Sequence, residues 1–291
     1  MKSPKVPAWL SVPLLVGAFG ALVVFERRRS LRRATESKIR RNARNLGVAA
    51  LGALALQLAE RPVVEPLTHL VERRKLGLLK RACLPTWLEV ALAVALLDYT
   101  LYVWHYITHK VPFLWRFHVA HHVDLDMDAS TALRFHFAEL ALSVPWRAGQ
   151  VLMIGVSPLA FSVWQNLLFL SIMFHHSNVR LPLEVERALS RFVVTPRMHG
   201  IHHSTVREET DSNWSSGLTV WDYLHGTLRL NVSQDEIKIG VPAYREPEEV
   251  ALMKVLALPF IEQRPTWESP TGEPPARREN ITYGSPDQLS T

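Results

Sequence analysis

The chain has 291 residues, 48% of them hydrophobic, with a formal net charge of +6 and a single cysteine, Cys83. That length suits one large domain or two small ones, and one cysteine excludes an intrachain disulfide. The apolar residues gather in long runs with the charges between them, which argues for a membrane protein against a soluble globule.

The first run, Trp9 to Phe25, carries no charge over seventeen residues. That is at the short end of the membrane-spanning range. The basic start MKSPK makes a signal peptide the rival reading. No small-residue cleavage site follows, and the ERRRSLRR behind the run reads as a stop-transfer signal, so an uncleaved anchor is predicted. The basic stretch 27–44 reads as a cytoplasmic loop touching anionic headgroups rather than a nucleic-acid site. Leu46 to Ala59 is a second membrane segment, extending to about Leu70 with bends at Pro62 and Pro66. RRKLGLLKR at 73–81 has the pattern of an interfacial amphipathic helix. Thr86 to Trp104 is a third membrane helix with Asp98 inside it. Asp98 either faces a polar interior with a partner or lies beyond the lipid on a projecting helix. Phe137 to Ile154 and Pro158 to Phe174, separated by GVSP, predict a helical hairpin. Glu184 to Phe192 is amphipathic. Beyond Tyr244 the chain is rich in Pro, Glu, Arg and Ser, and 263–291 is predicted to be a disordered tail. The Asn-x-Ser/Thr matches at Asn213, Asn231 and Asn280 read as chance.

The prediction is therefore an all-α integral membrane protein with four to five membrane helices and a helical cap. Residues 1–85 form anchors and a basic loop, 86–230 a second domain with the third helix and the hairpin, and 231–291 a polar, largely disordered tail.

Eleven of the thirteen histidines fall between 105 and 203, at the ends of apolar runs. His105 and His109 are four apart and share a helix face. His118, His121 and His122 form H-x-x-H-H, and His199, His202 and His203 repeat it 81 residues later. His136 stands in RFHFAE, and His175 and His176 close the hairpin's return helix. One histidine, or one pair, is usually an ordinary packed residue. Five groups, two with the same triplet, are not, because packed imidazoles need partners for their nitrogens and positive rings repel. A metal answers both needs, and neutral imidazole binds iron, copper or zinc. One ion takes at most four to six protein ligands, so nine or more histidines at ligand spacing argue for two metals. Ligating imidazoles commonly donate their second N–H to a carboxylate. Asp124, Asp126 and Asp128 follow the first triplet, and Glu208, Glu209 and Asp211 the second. With 26–45 cytoplasmic, alternating spans bring all five groups to the cytoplasmic side. The basic 73–81 segment then falls outside, against the positive-inside tendency.

The stretches DYTLYVWHYITHKVPFLWRFHVAHH, TALRFHFAE, HSNVRLP, TPRMHGIHHS and ETDSNWSSGLTVWDYLHGT resemble the bacterial branch of the fatty acid hydroxylase/sterol desaturase superfamily of membrane di-iron enzymes. The match in order and spacing runs from about residue 98 to 228, and with the anchors over roughly 8–230. The resemblance implies metal ligands at His105, His109, His118, His121, His122, His176, His199, His202 and His203, with His136 added as a characteristic family histidine. It leaves His175 aside as a non-ligand. It implies supporting roles for Asp98, Asn178, Asp211, Asn213, Trp221 and Asp222. It also implies two iron ions, O2 as co-substrate, and hydroxylation or desaturation of a sterol-like or fatty-acyl lipid. An external donor, a ferredoxin or small cytochrome with its reductase, would supply electrons at a basic cytoplasmic face of a bacterial inner membrane. The chain departs from the usual pattern at Tyr106, Val123, Phe137 and His225, which bears on substrate choice rather than on ligands. A zinc hydrolase is the main rival, but H-E-x-x-H is absent. A bis-histidine haem carrier would pair histidines across facing helices. A metal transporter would place them mid-membrane, and a non-catalytic relative would keep the ligands alone.

Overall fold

A computed structural model describes residues 4–272 and 275, and among them only helices, turns and four isolated β-bridges form. Helix α1 (Ala8–Arg28) follows Pro7 and ends on Arg27 and Arg28, cations that suit the negative end of the helix dipole. Helix α2 (Lys38–Ala55) passes through a π-turn at Leu56–Glu60 into α3 (Arg61–Arg74). Pro62 lacks an N–H, so it cannot complete the regular ladder, and the wider π-turn sits where that bond is missing. The short α4 (Leu78–Arg81) follows, then α5 (Thr86–Lys110), α6 (Pro112–His122), α7 (Phe137–Leu142), α8 (Val144–Ile154) and α9 (Pro158–His176). Proline stands in the first turn of α6, α8 and α9, where its missing N–H costs nothing. Gly155, at φ +87°, closes α8 against the backbone of Gly77, where no Cβ fits.

Four helical stretches are long and apolar enough to cross a membrane: Ala8–Arg28, Lys38–Arg81, Thr86–Lys110 and Pro158–His176. The chain is an integral membrane protein. The outgoing arm of the expected 137–174 hairpin is not among these long helices. Ser143 interrupts it, with Pro145 just beyond, leaving pieces of six and eleven residues. Helices α5 and α9 pack side by side and both deliver histidines at their C-terminal ends. The end of α1 reaches the same place, with Leu31 donating to Asn178 O and Arg180 to Arg29 O.

Short helices complete the histidine end: α10 (Leu183–Leu189), α11 (Pro196–His202), α12 (Arg207–Thr210), α13 (Val220–His225) and α14 (Leu252–Ala257). Here three expectations change. The basic stretch 27–44 is not only a headgroup-facing loop. Arg32, Arg41 and Arg44 are buried, and Lys38 to Arg44 form the first two turns of α2. The 73–81 segment is not one amphipathic helix. Lys75 turns it at φ +53°, and Lys80 is buried between Glu72 and Glu89 at 2.5 and 2.6 Å. The tail beyond 230 is largely ordered up to about residue 267, into the stretch predicted to be disordered: Gln263 donates to Arg116 O, Trp115 Nε1 to Thr266 Oγ1, and Trp267 stacks on Trp115. Val241, Tyr244, Val250, Val255 and Leu258 join Val48, Trp115 and Val119 in one buried cluster. Its apolar residues are spaced irregularly among prolines and charges, so no periodicity signals the packing. Residues 273–274 and 276–291 of the predicted disordered tail, Asn280 included, lie outside the described residues.

Candidate metal centre

Ten of the eleven histidines in the 105–203 region meet at one end of the helices. Two sets of four are close enough to hold one ion each: His105, His109, His122 and His202, and His121, His176, His199 and His203, every ligand atom within 4.8 Å of the others in its set. Each H-x-x-H-H splits between the sets. His122 and His202 serve the first, and His121, His199 and His203 the second. The i, i+1 pairs make the split, because neighbouring residues on a helix point about 100° apart. The sets touch, since the His122 and His203 rings stack with centroids 4.3 Å apart. His118 lies between them, its ring 4.8 Å from His109, 5.0 Å from His122 and 5.4 Å from His121. His175 sits beside the second set, 4.1 Å from the His199 ring.

The hydrogen bonds set the tautomers. His105 Nδ1 donates to Trp214 O at 2.8 Å, His176 Nδ1 to Ile172 O at 2.8 Å, His202 Nδ1 to Ser212 O at 2.9 Å, and His118 Nδ1 to Glu139 Oε1 at 2.7 Å. Carbonyl and carboxylate oxygens only accept, so each of these rings carries its proton on Nδ1 and a bare lone pair on Nε2. The Nε2 atoms of His118 and His202 are buried without any partner, as are both nitrogens of His109 and Nε2 of His122. In the second set the Nε2 atoms crowd together: His176 to His121 at 3.0 Å, His199 to His176 at 3.0 Å, His203 to His199 at 3.2 Å. There the Nδ1 atoms of His121, His199 and His203 are the unpartnered ones. No assignment of protons satisfies this many buried nitrogens, whereas a cation at the centre of each set would. The spacing fits one. Two nitrogens about 2.1 Å from an ion and at right angles stand about 3.0 Å apart. Burial and the neighbouring rings hold His121, His122, His199 and His203 well below the usual imidazole range, and burial brings His202 down to about 3. The rings are thus neutral, the form that donates to a metal.

His136 is not brought to either set. Its Nδ1 caps α7 by accepting from Ala138 N at 3.1 Å, and its Nε2 donates to Leu256 O at 3.2 Å. Both nitrogens are therefore occupied by backbone.

The supporting residues act one step away from the imidazoles. Asp222 accepts from Trp214 N, Ser215 N and Thr227 Oγ1 at 2.9, 3.1 and 2.7 Å. Asn213, at φ +53°, donates to Met198 O and Arg229 O and accepts from Arg229 N. Asp98 is buried and accepts from Trp221 Nε1 at 2.7 Å and Leu218 N at 2.9 Å, tying α5 to the same loop. Asp98 and Gly217 are so close that a Cβ on the glycine would collide with the carboxylate. Together these contacts fix the 212–218 segment, whose carbonyls at Ser212 and Trp214 receive two histidines. Asn178 exchanges hydrogen bonds with the Arg32 backbone, and Asp211 pairs with Lys110 at 2.7 Å. The acids expected to receive imidazole protons do something else. Asp124 accepts from Arg44, Asn45 and Thr131 at 2.9, 2.9 and 3.0 Å, with Arg134 and Arg41 beside it. Burial would raise its carboxyl, but Arg41, Arg134 and Arg44 outweigh burial and hold it below the usual range. Asp128 pairs with Arg41, and Asp126 accepts from Thr35 and Glu36. The carboxylate that does meet an imidazole is Glu139, in the RFHFAE stretch, three residues after His136.

A cavity of about 660 Å³ opens onto the histidines. His105, His118, His121, His175, His176 and His199 form one end, and the walls are mainly apolar, with Leu101, Trp104, Phe135, Leu168 and Ile172 among them.

An integral membrane helix bundle that carries two touching four-histidine sets at the end of an apolar cavity defines a class, the membrane proteins with a histidine-rich site able to hold metal. Residues 90–227 match the family described as fatty acid hydroxylase. The chain is 29% identical over 161 residues to ornithine lipid hydroxylase OlsE of Rhizobium tropici, covering 54% of this chain and 46% of that one. It is 30% identical over 143 residues to alkylglycerol monooxygenase of Homo sapiens, covering 49% and 30%. It is 30% identical over 144 residues to a cholesterol 25-hydroxylase-like protein of Danio rerio, covering 48% and 55%. These matches span between about a third and just over half of the relatives' lengths. No solved structure matches the chain.

Proposed function

We propose that the protein is an O2-dependent di-iron hydroxylase of a membrane lipid. The observation that carries this reading is the junction of the cavity with both histidine sets, which puts a lipid-sized apolar space against groups built for metals. The relatives whose names specify hydroxylase or monooxygenase support oxygen insertion over desaturation.

One iron would be held by His105, His109, His122 and His202, and the other by His121, His176, His199 and His203, with His118 between them available to either. When bound, the pair would supply the redox chemistry that uses O2, two electrons and two protons to convert a C–H bond to an alcohol with release of water. The chain's own residues do the rest. The neutral rings offer lone pairs without first losing a proton. Glu139, Trp214 O, Ser212 O and Ile172 O fix ring orientation and keep the Nε2 atoms bare. The apolar walls exclude water and lay the substrate against the histidine end. An external donor of ferredoxin or small-cytochrome type delivers the electrons. Arg27, Arg28, Arg29, Arg33 and Arg40 are exposed near the histidine end, which supports a cytoplasmic site by the positive-inside tendency and suits an acidic donor.

Purified full-length protein should hold about two irons per chain and oxidise lipid only with O2 and reductant. His118→Ala and His202→Ala should lose that oxidation together with metal. Zinc-only protein that hydrolyses an ester without O2 would overturn the proposal.

A further inference from the structure

The cavity is long as well as apolar. Its lining follows α9 from Pro158 to His176, a path of about 27 Å at the helical rise of 1.5 Å per residue. Partway along it sits a cation. Arg147 is 8% exposed and lines the cavity, and its guanidinium carbon lies over the Trp164 ring, 4.3 Å from the centroid. Nη1 donates to Gln150 Oε1 at 2.6 Å, and Gln150 in turn donates to Thr100. Its Nε is buried with no hydrogen-bond partner. Glu60, also buried and lining the cavity, is its charged neighbour. A guanidinium with an unmade hydrogen bond in an apolar channel is a poor structural element, since its desolvation is not compensated. It is a suitable element for gripping the polar part of a ligand.

Resting on the hydroxylase reading above, we propose that Arg147 determines substrate specificity by donating a guanidinium N–H to the carbonyl oxygen of an acyl ester or amide. The hydrocarbon chain beyond that carbonyl then runs along α9 to the histidines. A neutral carbonyl suits the place better than a carboxylate, because Glu60 would repel a second anion. The separation sets a ruler. Trp164, under the guanidinium, is eleven residues before His175, about 16 Å along the helix. Leu101, Trp104, Leu168, Phe169 and Ile172 make the intervening wall mainly apolar, with Gln165 and Thr108 as polar members of the lining. A fixed carbonyl and a fixed oxidising end select carbons by their distance from the carbonyl. The outer cavity, with Lys5, Arg61 and Glu65, takes whatever the carbonyl is attached to.

Two readouts on the full-length, iron-loaded protein test this. The first is calorimetric binding in detergent micelles of a long-chain fatty acid methyl ester and of the n-alkane of equal chain length. Wild type should bind the ester at least tenfold more tightly than the alkane. Arg147→Met and Arg147→Lys should bind both alike, with iron content and unfolding temperature near wild type. The lysine variant keeps the charge but is shorter and loses the planar, directed guanidinium fork, so it remains informative if methionine destabilises the fold. The second is the position of the hydroxyl in the product. Wild type should oxidise a narrow set of carbons and the variants a broad one, a change that a purely structural role would not produce. Unchanged ester preference and unchanged positions in both variants overturn the proposal, as does a wild type that prefers cholesterol to the ester. Ester binding that depends on Arg147 in a protein that oxidises no lipid would sink the oxygenase reading and leave the carbonyl contact standing.

Discussion

Replacing Glu139 by alanine removes the acceptor for the His118 Nδ1 proton without touching a proposed ligand. The contact is 2.7 Å long, and the two side chains are only 3% and 7% exposed, so neither water nor another carboxylate takes over. His118 would then be free to move its proton to Nε2, the atom that faces the two sets, or to rotate away from them. Loss of such a partner weakens metal binding by about 10–100-fold, equivalent to about 1.4–2.7 kcal/mol. Glu139→Gln keeps an oxygen that accepts from Nδ1 but loses the charge, so its effect should fall at about the tenfold end. The assay is an iron titration of the full-length protein against a competing chelator, with thermal unfolding run in parallel. Glu139→Ala binding iron as tightly as wild type, with unfolding unchanged, would refute the argument that His118 contributes to the centre.

Three further outcomes are expected. Metal-stripped protein should lose stability as pH falls from about 6.5 towards 3. The folded state holds His121, His122, His199, His202 and His203 below their ordinary range, so below that range the unfolded chain takes up protons that the folded one refuses. For His202, down at about 3, the loss is about 1.4 kcal/mol per pH unit, readable as a falling unfolding temperature that added iron offsets. Asp124→Asn should destabilise by about 3–5 kcal/mol in denaturant or heat, because Arg41, Arg44 and Arg134 would be left buried beside a neutral amide. Ending the chain after Gly240 should give protein that unfolds at a lower temperature or aggregates, and that binds less iron. It strips Val241, Tyr244, Val250, Val255 and Leu258 from the back of α6, at roughly 1.5–3 kcal/mol for each large side chain.

The histidines were the most legible part of the molecule. Offsets of three and four are a geometric statement about one helix face, and nine or more candidate ligands exceed what one ion accepts. Glu139 was quoted in its motif but not singled out, because its contact with His118 depends on how the 123–136 connection folds back on α6. Asp124, Asp126 and Asp128 misled for the converse reason. Their nearness in sequence to His121 and His122 suggested imidazole partners, yet the chain turns at Val123 and points them at the arginines of α2. His136 shared the family spacing and still ended as a cap for α7. The broken 137–154 arm and the packed 231–267 segment were read from apolar content and composition, which count residues without saying what covers them.

The sequence by itself determined that the chain is helical, that it crosses membranes, and that its imidazoles come in numbers suited to two metals. Those properties follow from hydrophobic run length, helix periodicity and ligand chemistry, all of which are local. Only the tertiary structure decided which histidines stand together. Adjacent residues such as His121 and His122 point about 100° apart on their helix, so each H-x-x-H-H is divided between the two sets, and its partners come from α5, α9 and α11. The cavity behind them, and the arginine set into its wall, likewise exist only once α2, α3, α5, α8 and α9 have packed.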